Sequence, residues 1–154
     1  MIPLFIIKQG FDLEFIYSDH ILRRSNLSVI EYFHQQCLSY GSTLKGNMDA
    51  IRHHLKIRQK VPICLSVSAR IMYFPIPLNN QEMWVLYDHD YQIKKSEHNT
   101  ILTIHQLSFK LPVDRRVILR QTQRCERYLN SFKAHTYLKI SDHIFESCVS
   151  HYLV

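Results

Sequence analysis

Residues 60–93 read KVPICLSVSARIMYFPIPLNNQEMWVLYDHDYQI, and this stretch decides the fold class. It holds three segments rich in β-branched and aromatic residues, which predict strands at 63–67, 70–74 and 83–93. The prolines of residues 75–80 predict a loop between the last two strands. Residues 101–109 have a similar composition and predict a further strand. The middle of the chain is therefore expected to be a run of strands with no helix between them.

Helices are predicted on both sides of this run. Ser28 and Glu31 form a capping-box pattern before apolar residues at helical spacing, namely Ile30, Phe33, Cys37 and Leu38. A second helix is predicted because four apolar residues fall on one face: Leu44, Met48, Ile51 and Leu55. Pro112 and Asp114 mark the entry to a third helix, whose apolar face holds Ile118, Cys125, Leu129 and Phe132. Residues 136–154 also carry apolar side chains at helical intervals.

The amino-terminal segments 3–7 and 11–17 predict a hairpin in which Phe11, Leu13 and Phe15 form the buried side. The order of elements then indicates a single α+β domain over residues 1–154. Its sheet is expected to be largely antiparallel, with flanking helices and a helical C-terminal part. A Rossmann-type fold is not expected, and ATP is not a predicted ligand, because the chain lacks Gly-x-Gly-x-x-Gly and the phosphate-binding loop motif.

Composition agrees with a folded domain. The chain has 154 residues, of which 46% are hydrophobic and 21% charged, and this length supports a core without disulfide or metal staples. Its four cysteines are widely spaced among apolar residues, which favours reduced, packed thiols. No signal peptide and no membrane-spanning run is recognised, so a cytoplasmic protein without membrane contact is expected.

Positive charge is concentrated in two segments. Lys and Arg number 19 against 13 Asp and Glu, giving a formal net charge of +6. Residues 50–81 contain no acidic residue and hold Arg52, Lys56, Arg58, Lys60 and Arg70, together with His53 and His54. Residues 115–139 contain only one acid, Glu126, among seven basic residues: Arg115, Arg116, Arg120, Arg124, Arg127, Lys133 and Lys139.

Four of these arginines, Arg116, Arg120, Arg124 and Arg127, form a stripe on the predicted third helix. Like charges at this spacing repel, which suggests that a polyanion or compensating acids relieve the repulsion. One interpretation is a solvated helix face; the other is a surface for DNA phosphates or a narrow minor groove. On the second interpretation the DNA-binding residues are Arg52, Lys56, Arg58, Lys60, Arg70, Arg116, Arg120, Arg124 and Arg127.

Other functional patterns are weaker. The aromatic residues Tyr73, Phe74, Trp84, Tyr87 and Tyr91 could stack on single-stranded RNA, but aromatic residues in strands are usually core. His34 with Cys37, and Asp88-His89-Asp90, lack the ligand number and spacing of an established metal site. We therefore expect no enzyme, no cofactor and no metal, and a metal-dependent enzyme using the histidines is a distant third alternative.

Residues 37–46, CLSYGSTLKG, look like a signature of the bacterial competence transcription factor family, ComK. The similarity continues through Arg58-Gln59-Lys60-Val61-Pro62-Ile63, Met72-Tyr73-Phe74-Pro75 and Trp84. It extends to Leu107-Ser108-Phe109-Lys110-Leu111-Pro112-Val113 and Arg120-Gln121-Thr122-Gln123-Arg124, and so covers about residues 37–125. The chain departs from the family pattern at Thr43, Leu44, Lys45, Asn47, Ile76, Glu82 and Met83; Asn47 stands in place of an arginine.

The resemblance implies a DNA-binding activator of DNA-uptake genes that recognises paired A/T-rich boxes, largely from the minor groove, as a homo-oligomer in the cytoplasm at the nucleoid. It also implies contacts with RNA polymerase and with a Clp-type proteolytic adaptor. The departures leave a second hypothesis open, in which a diverged non-enzymatic paralogue acts as a protein-interaction module that sequesters a sibling activator or an adaptor. If Asn47 replaces a phosphate contact, one charge-assisted hydrogen bond to DNA is lost there.

Overall fold

The structure, a computed structural model, describes residues 1–132. The strands are β1 (Phe5–Gln9), β2 (Asp12–Ile16), β3 (Ile21–Ser25), β4 (Ile63–Ser66), β5 (Ile71–Leu78), β6 (Gln81–Leu86), β7 (Gln92–Ser96), β8 (Asn99–Ile104) and β9 (Leu107–Leu111). Two helices, α1 (Val29–Ser39) and α2 (Leu44–Leu55), lie between β3 and β4. A third helix, α3, begins at residue 115, and its described part reaches residue 132.

The strands form two antiparallel sheets. The larger has the order β3-β2-β1-β6-β5-β4, and the smaller has the order β7-β8-β9. Because β1 pairs with β6, the amino-terminal hairpin is built into the middle of the larger sheet. The predicted α+β class, antiparallel sheet and flanking helices are confirmed. The predicted helix over residues 136–154 lies outside the described residues.

Aromatic contacts show how the layers pack on the larger sheet. On one face, the Phe33 ring of α1 lies 5.5 Å from Tyr73 and 4.9 Å from Trp84. On the other face, Phe5 of β1 lies 4.1 Å from Phe109 of β9. Adjacent residues of a strand point to opposite faces, so each face of the larger sheet is covered by a different element. The core therefore lies on both sides of this sheet.

Helix α1 begins with the predicted capping box. The Ser28 hydroxyl accepts a hydrogen bond from the Glu31 amide at 3.0 Å, and the Glu31 carboxylate accepts from the Ser28 amide at 3.5 Å. Its buried face consists of Val29, Tyr32, Phe33 and Cys37. Ile30 and Leu38, which were predicted to share this face, are 71% and 53% exposed. That prediction was wrong because the aromatic Tyr32, and not Ile30, occupies the position facing Phe15, 4.8 Å away.

Helix α2 closes the exposed edge of β4. The Asn47 side-chain oxygen accepts a hydrogen bond from the Cys64 amide at 2.9 Å, and the Asn47 amide donates to the Cys64 carbonyl. A strand edge with unpaired backbone groups invites pairing with another chain, and a side-chain amide satisfies both groups at once. Asn47, read from the sequence as a departure from the family pattern, thus has a structural role.

Two predicted strands are divided by turns that the sequence did not reveal. The predicted strand over residues 83–93 is broken after Leu86, where the Asp88 carboxylate accepts a hydrogen bond from the Asp90 amide at 2.8 Å. The predicted strand over residues 101–109 is a hairpin, with β8 and β9 joined through His105 and Gln106 at φ values of 48° and 69°. Both predictions were wrong because neither turn contains glycine or proline, the residues that usually signal one.

The opposite error concerns residues 75–80, where the predicted loop is mostly strand. Pro75 pairs with Trp84 and Pro77 with Glu82. Proline is tolerated here because the pairing of β4 with β5 extends only as far as Tyr73, which leaves the other side of Pro75 and Pro77 without a strand partner. Strand β3 was not predicted at all, because each of its residues is exposed and no alternation of apolar and polar residues marks it.

The amino-terminal hairpin is confirmed, with Leu13 and Phe15 buried. Phe11 was expected beside them, but it lies in the turn next to Gly10 and is 83% exposed. On α3, Ile118, Cys125 and Leu129 are buried as predicted. Among the described residues, no helix has both the length and the hydrophobicity needed to cross a membrane.

Three cysteines, Cys37, Cys64 and Cys125, are free and buried, which confirms the prediction of packed thiols; Cys148 lies outside the described residues. Burial raises the pKa of Cys64 to about 12. Burial also raises the pKa of Tyr32 and of Tyr128 to about 12. These three groups therefore stay protonated in the folded chain at pH values at which they are ionised in the unfolded chain.

We expect Asn47→Ala to lower the free energy of unfolding by about 1–3 kcal/mol, because it leaves the amide and carbonyl of Cys64 without partners. Urea denaturation followed by circular dichroism measures this. The matched control is Asn130→Ala, another helical but exposed asparagine, which should change stability by less than about 0.5 kcal/mol. Equal effects of the two substitutions would contradict the role assigned to Asn47.

Stability should also fall at alkaline pH. A thiol whose pKa is raised on folding contributes stability below its unfolded pKa, near 9.0 for Cys64, and loses it as pH rises toward the folded value. Urea midpoints measured from pH 8 to about pH 11 should therefore decrease steadily. The decrease in the free energy of unfolding with pH should be less steep in Cys64→Ala, by up to about 1.4 kcal/mol per pH unit. An unchanged slope would exclude Cys64 as a contributor.

Candidate nucleic-acid interface

The two positively charged segments of the sequence meet where residues 58–60 lie against α3. The Gln121 side-chain amide donates a hydrogen bond to the Lys60 carbonyl at 3.0 Å. Arg124 Nη1 donates to the carbonyls of Gln59 and Lys60, each at 3.2 Å. These contacts join parts of the chain more than sixty residues apart. The backbone after α2 is therefore held directly by α3.

Gln121 is the buried centre of this contact. Its side chain is 2% exposed, and its amide donates a second hydrogen bond, to the Pro75 carbonyl, at 3.1 Å. That carbonyl belongs to the part of β5 that has no partner in β4. A buried carbonyl without a partner is costly, so Gln121 stabilises both the end of the sheet and the segment at residue 60.

The end of α2 brings further basic residues to the same region. Arg52, His53 and His54 lie in its last turn, where positive charge interacts favourably with the helix dipole. Lys56 ends the helix in the left-handed conformation, with φ at 54°. The ring of His54 lies 5.6 Å from Tyr128 and 5.0 Å from Phe132. His54 thus packs α2 against α3 while remaining exposed, and its contribution to the positive surface stays a prediction.

Three arginines of the predicted stripe lie close together. Arg124 is half-buried, and its pKa is lowered first by burial and then by the nearby positive charges of Arg120 and Arg127. Arg120 and Arg127 are exposed, and neither forms an ion pair with any residue in the range 1–132. The repulsion expected from their spacing is thus present in the folded chain.

Other predicted DNA-binding residues have different partners. Arg52 forms an ion pair with Asp49 at 3.4 Å, and Arg116 forms one with Asp114, also at 3.4 Å. Arg70 lies in the turn before β5 and is hydrogen-bonded to Tyr87. The side chains of Lys56, Arg58 and Lys60 are exposed beside the contact with α3. The structure therefore gathers Lys60, Arg120, Arg124 and Arg127, and leaves Arg52 and Arg116 next to carboxylates.

The alternative aromatic platform is not available for stacking. Tyr73 and Phe74 are fully buried, and Trp84 and Tyr87 are each 7% exposed. The core role preferred for these four residues is confirmed, and the fifth, Tyr91, is half-buried and packs against the core. Cys37 is also buried, while His34 of the same helix is exposed, so the two do not form a site together.

Sequence reasoning missed the structural roles of two side-chain amides: Gln121 holds the segment at residue 60, and Asn47 holds α2 to β4. Gln121 lies on α3 between Ile118 and Cys125, on the face that is otherwise apolar. A polar residue at a core-facing position is the signal that could have identified it, because such a residue must find hydrogen-bond partners. No comparable pattern marks Asn47.

Comparison with known proteins gives one match. The model of the ComK protein family matches residues 14–137, most of the chain. No curated protein and no solved structure matches it. The match includes the segment at residues 58–60, the arginines of α3 and the short motifs that carry the resemblance. The chain belongs to the ComK family, the family of bacterial competence transcription factors.

Proposed function

We propose that this protein activates transcription of DNA-uptake genes by binding A/T-rich duplex DNA through a surface centred on α3. The observation that carries the proposal is the group of three arginines, Arg120, Arg124 and Arg127, beside the basic segment at residues 58–60. Family membership supplies the regulatory role, and this group supplies a place where the negative charge of DNA is favoured.

Within this surface the arginines have different tasks. Arg124 is bonded to two backbone carbonyls and to Gln121, so it fixes the position of the segment. Arg120 and Arg127 are exposed and lie next to its charge. Their guanidinium groups are suited to phosphate oxygens or to a narrow A/T minor groove. Bound DNA would remove the repulsion among the three charges, which favours the complex.

The surface offers contacts to only a few phosphates, so recognition of paired boxes is best served by more than one copy. We therefore include homo-oligomeric binding in the proposal, with the protein in the cytoplasm at the nucleoid. Contacts with RNA polymerase and a Clp-type adaptor are part of the same proposal and rest on family membership.

Arg120→Ala should weaken binding to an A/T-rich duplex and reduce the slope of log K against log salt by about 0.9. Stability should change little, because Arg120 is exposed. Fluorescence anisotropy at several salt concentrations, with a G/C-rich duplex for comparison, measures both the slope and the preference.

The matched control is Arg23→Ala, because Arg23 lies on β3 at the far edge of the larger sheet and pairs with Glu14 at 2.9 Å. It should leave the slope unchanged. Salt-insensitive, equal binding to both duplexes would end the proposal. Failure to bind DNA together with stable association with a sibling activator or adaptor would favour the sequestering alternative.

Arg124→Ala should differ from Arg120→Ala by also lowering the free energy of unfolding, by about 0.5–1.5 kcal/mol. The reason is that the carbonyls of Gln59 and Lys60 lose the guanidinium that donates to them. Paired urea denaturation and DNA titration of the two variants separate the effects. Equal stability of the two variants would show that Arg124 does not anchor the segment.

A further inference from the structure

The turn between β5 and β6 lies beside the basic segment that follows α2. Lys60 of that segment lines a groove of about 350 Å³ together with Pro77 and Gln81, which stand on either side of the turn. Gln121 fixes this arrangement, because its amide donates to the carbonyls of both Lys60 and Pro75. The turn is therefore held next to the surface proposed for DNA.

Neither neighbouring strand covers this turn, which consists of Asn79 and Asn80. Strand β1 pairs with β6 only as far as Glu82, and β4 pairs with β5 only as far as Tyr73. Pro77 carries no amide N–H, so a further strand would not pair regularly with this end of β5. The turn is exposed, and it is open to a ligand other than a strand.

The turn presents three consecutive side-chain amides, those of Asn79, Asn80 and Gln81. Asn80 has a φ of 59°, in the left-handed region that asparagine tolerates better than most residues, so the geometry of the turn accounts for it. None of the three side chains forms a hydrogen bond within residues 1–132. The amides of Asn79 and Gln81 are therefore free to donate to a bound molecule.

The charges around the turn allow a polyanion to approach. Residues 50–81 contain no acid, and Lys60 is exposed with no ion pair in the described part of the chain. The first acid after the turn, Glu82, accepts a hydrogen bond from Trp84 Nε1 at 2.9 Å. Because Trp84 lies further from the turn along β6, this bond draws the carboxylate away from the amides.

We propose that Asn79 and Gln81 recognise A·T base pairs in the minor groove of the bound duplex, while Lys60 and the arginines of α3 bind its phosphates. This inference rests on the proposed function and adds the residues that select the sequence. An A·T pair shows only acceptors in the minor groove, adenine N3 and thymine O2, to which an amide N–H donates. A G·C pair adds the amino group of guanine, which places a second donor opposite the amide. Phosphate contacts position the protein, and these base contacts give the preference.

The test compares three duplexes of equal length by fluorescence anisotropy: one A·T-rich, one G·C-rich, and one in which inosine·cytosine replaces A·T. Inosine is guanine without its amino group, so an inosine·cytosine pair resembles A·T in the minor groove and G·C in the major groove. The wild type should bind the A·T and inosine·cytosine duplexes within about twofold of each other, and the G·C duplex at least about tenfold more weakly. An inosine·cytosine duplex that binds like G·C would overturn the proposal.

Asn79→Ala with Gln81→Ala should reduce the preference for A·T over G·C at least about fivefold. The slope of log K against log salt should not change, because neither side chain carries charge. Asn80 is kept, since it shapes the turn. The matched control is Gln35→Ala with Gln36→Ala, which removes two amides from α1 and should leave the preference unchanged.

The outcomes separate this inference from the proposed function. A wild type that prefers A·T, with a double variant that keeps the full preference, would overturn the inference and leave the proposed function standing. A wild type that binds no duplex would overturn both. If circular dichroism shows that the double variant is unfolded, the side-chain amide NMR signals of Asn79 and Gln81 in the wild type decide. They should shift when the A·T duplex is added, and unshifted signals would overturn the inference.

Discussion

The hydrogen bonds from Gln121 and Arg124 to the carbonyls of residues 59, 60 and 75 are the contact on which the rest of the molecule depends. They satisfy backbone groups that no strand reaches, because the pairing of β4 with β5 stops at Tyr73. Without Gln121, the part-buried carbonyl of Pro75 would lose its partner, at a cost of about 1–3 kcal/mol. The same bonds place two basic segments, distant in sequence, side by side.

The sequence predicted those parts of the fold whose signals are local. The capping box at Ser28 and the apolar face of α3 follow from the spacing of a few residues, and the structure confirms them. It did not predict the turn at His105 and Gln106, because both residues adopt positive φ without being glycine. The sequence also did not predict that β5 continues through Pro75. Proline is compatible with a strand at this position only because the adjacent strand β4 ends its pairing at Tyr73.

The candidate sites show the same limit. Charge clustering pointed to two segments that meet in the fold, since residues 59 and 60 lie against α3; that they contact DNA stays a prediction. Some basic residues form ion pairs with acidic residues of the folded chain, such as Asp49 and Asp114. The spacing of the basic residues in the sequence does not predict these pairs. At Asn47, the departure from the family pattern suggested the loss of a positive charge. In the fold, the Asn47 side-chain amide instead forms hydrogen bonds with the backbone of Cys64.

Helix α3 also separates opposite charges. Arg120, Arg124 and Arg127 occupy one flank, while Glu126 lines a cleft with Asp88 on the other. An acidic flank disfavours a polyanion, so duplex DNA approaching α3 would be directed to the arginine side by attraction and by repulsion together. In the proposed complex, the division of charge along one helix would therefore help to orient the DNA, beyond the number of basic residues.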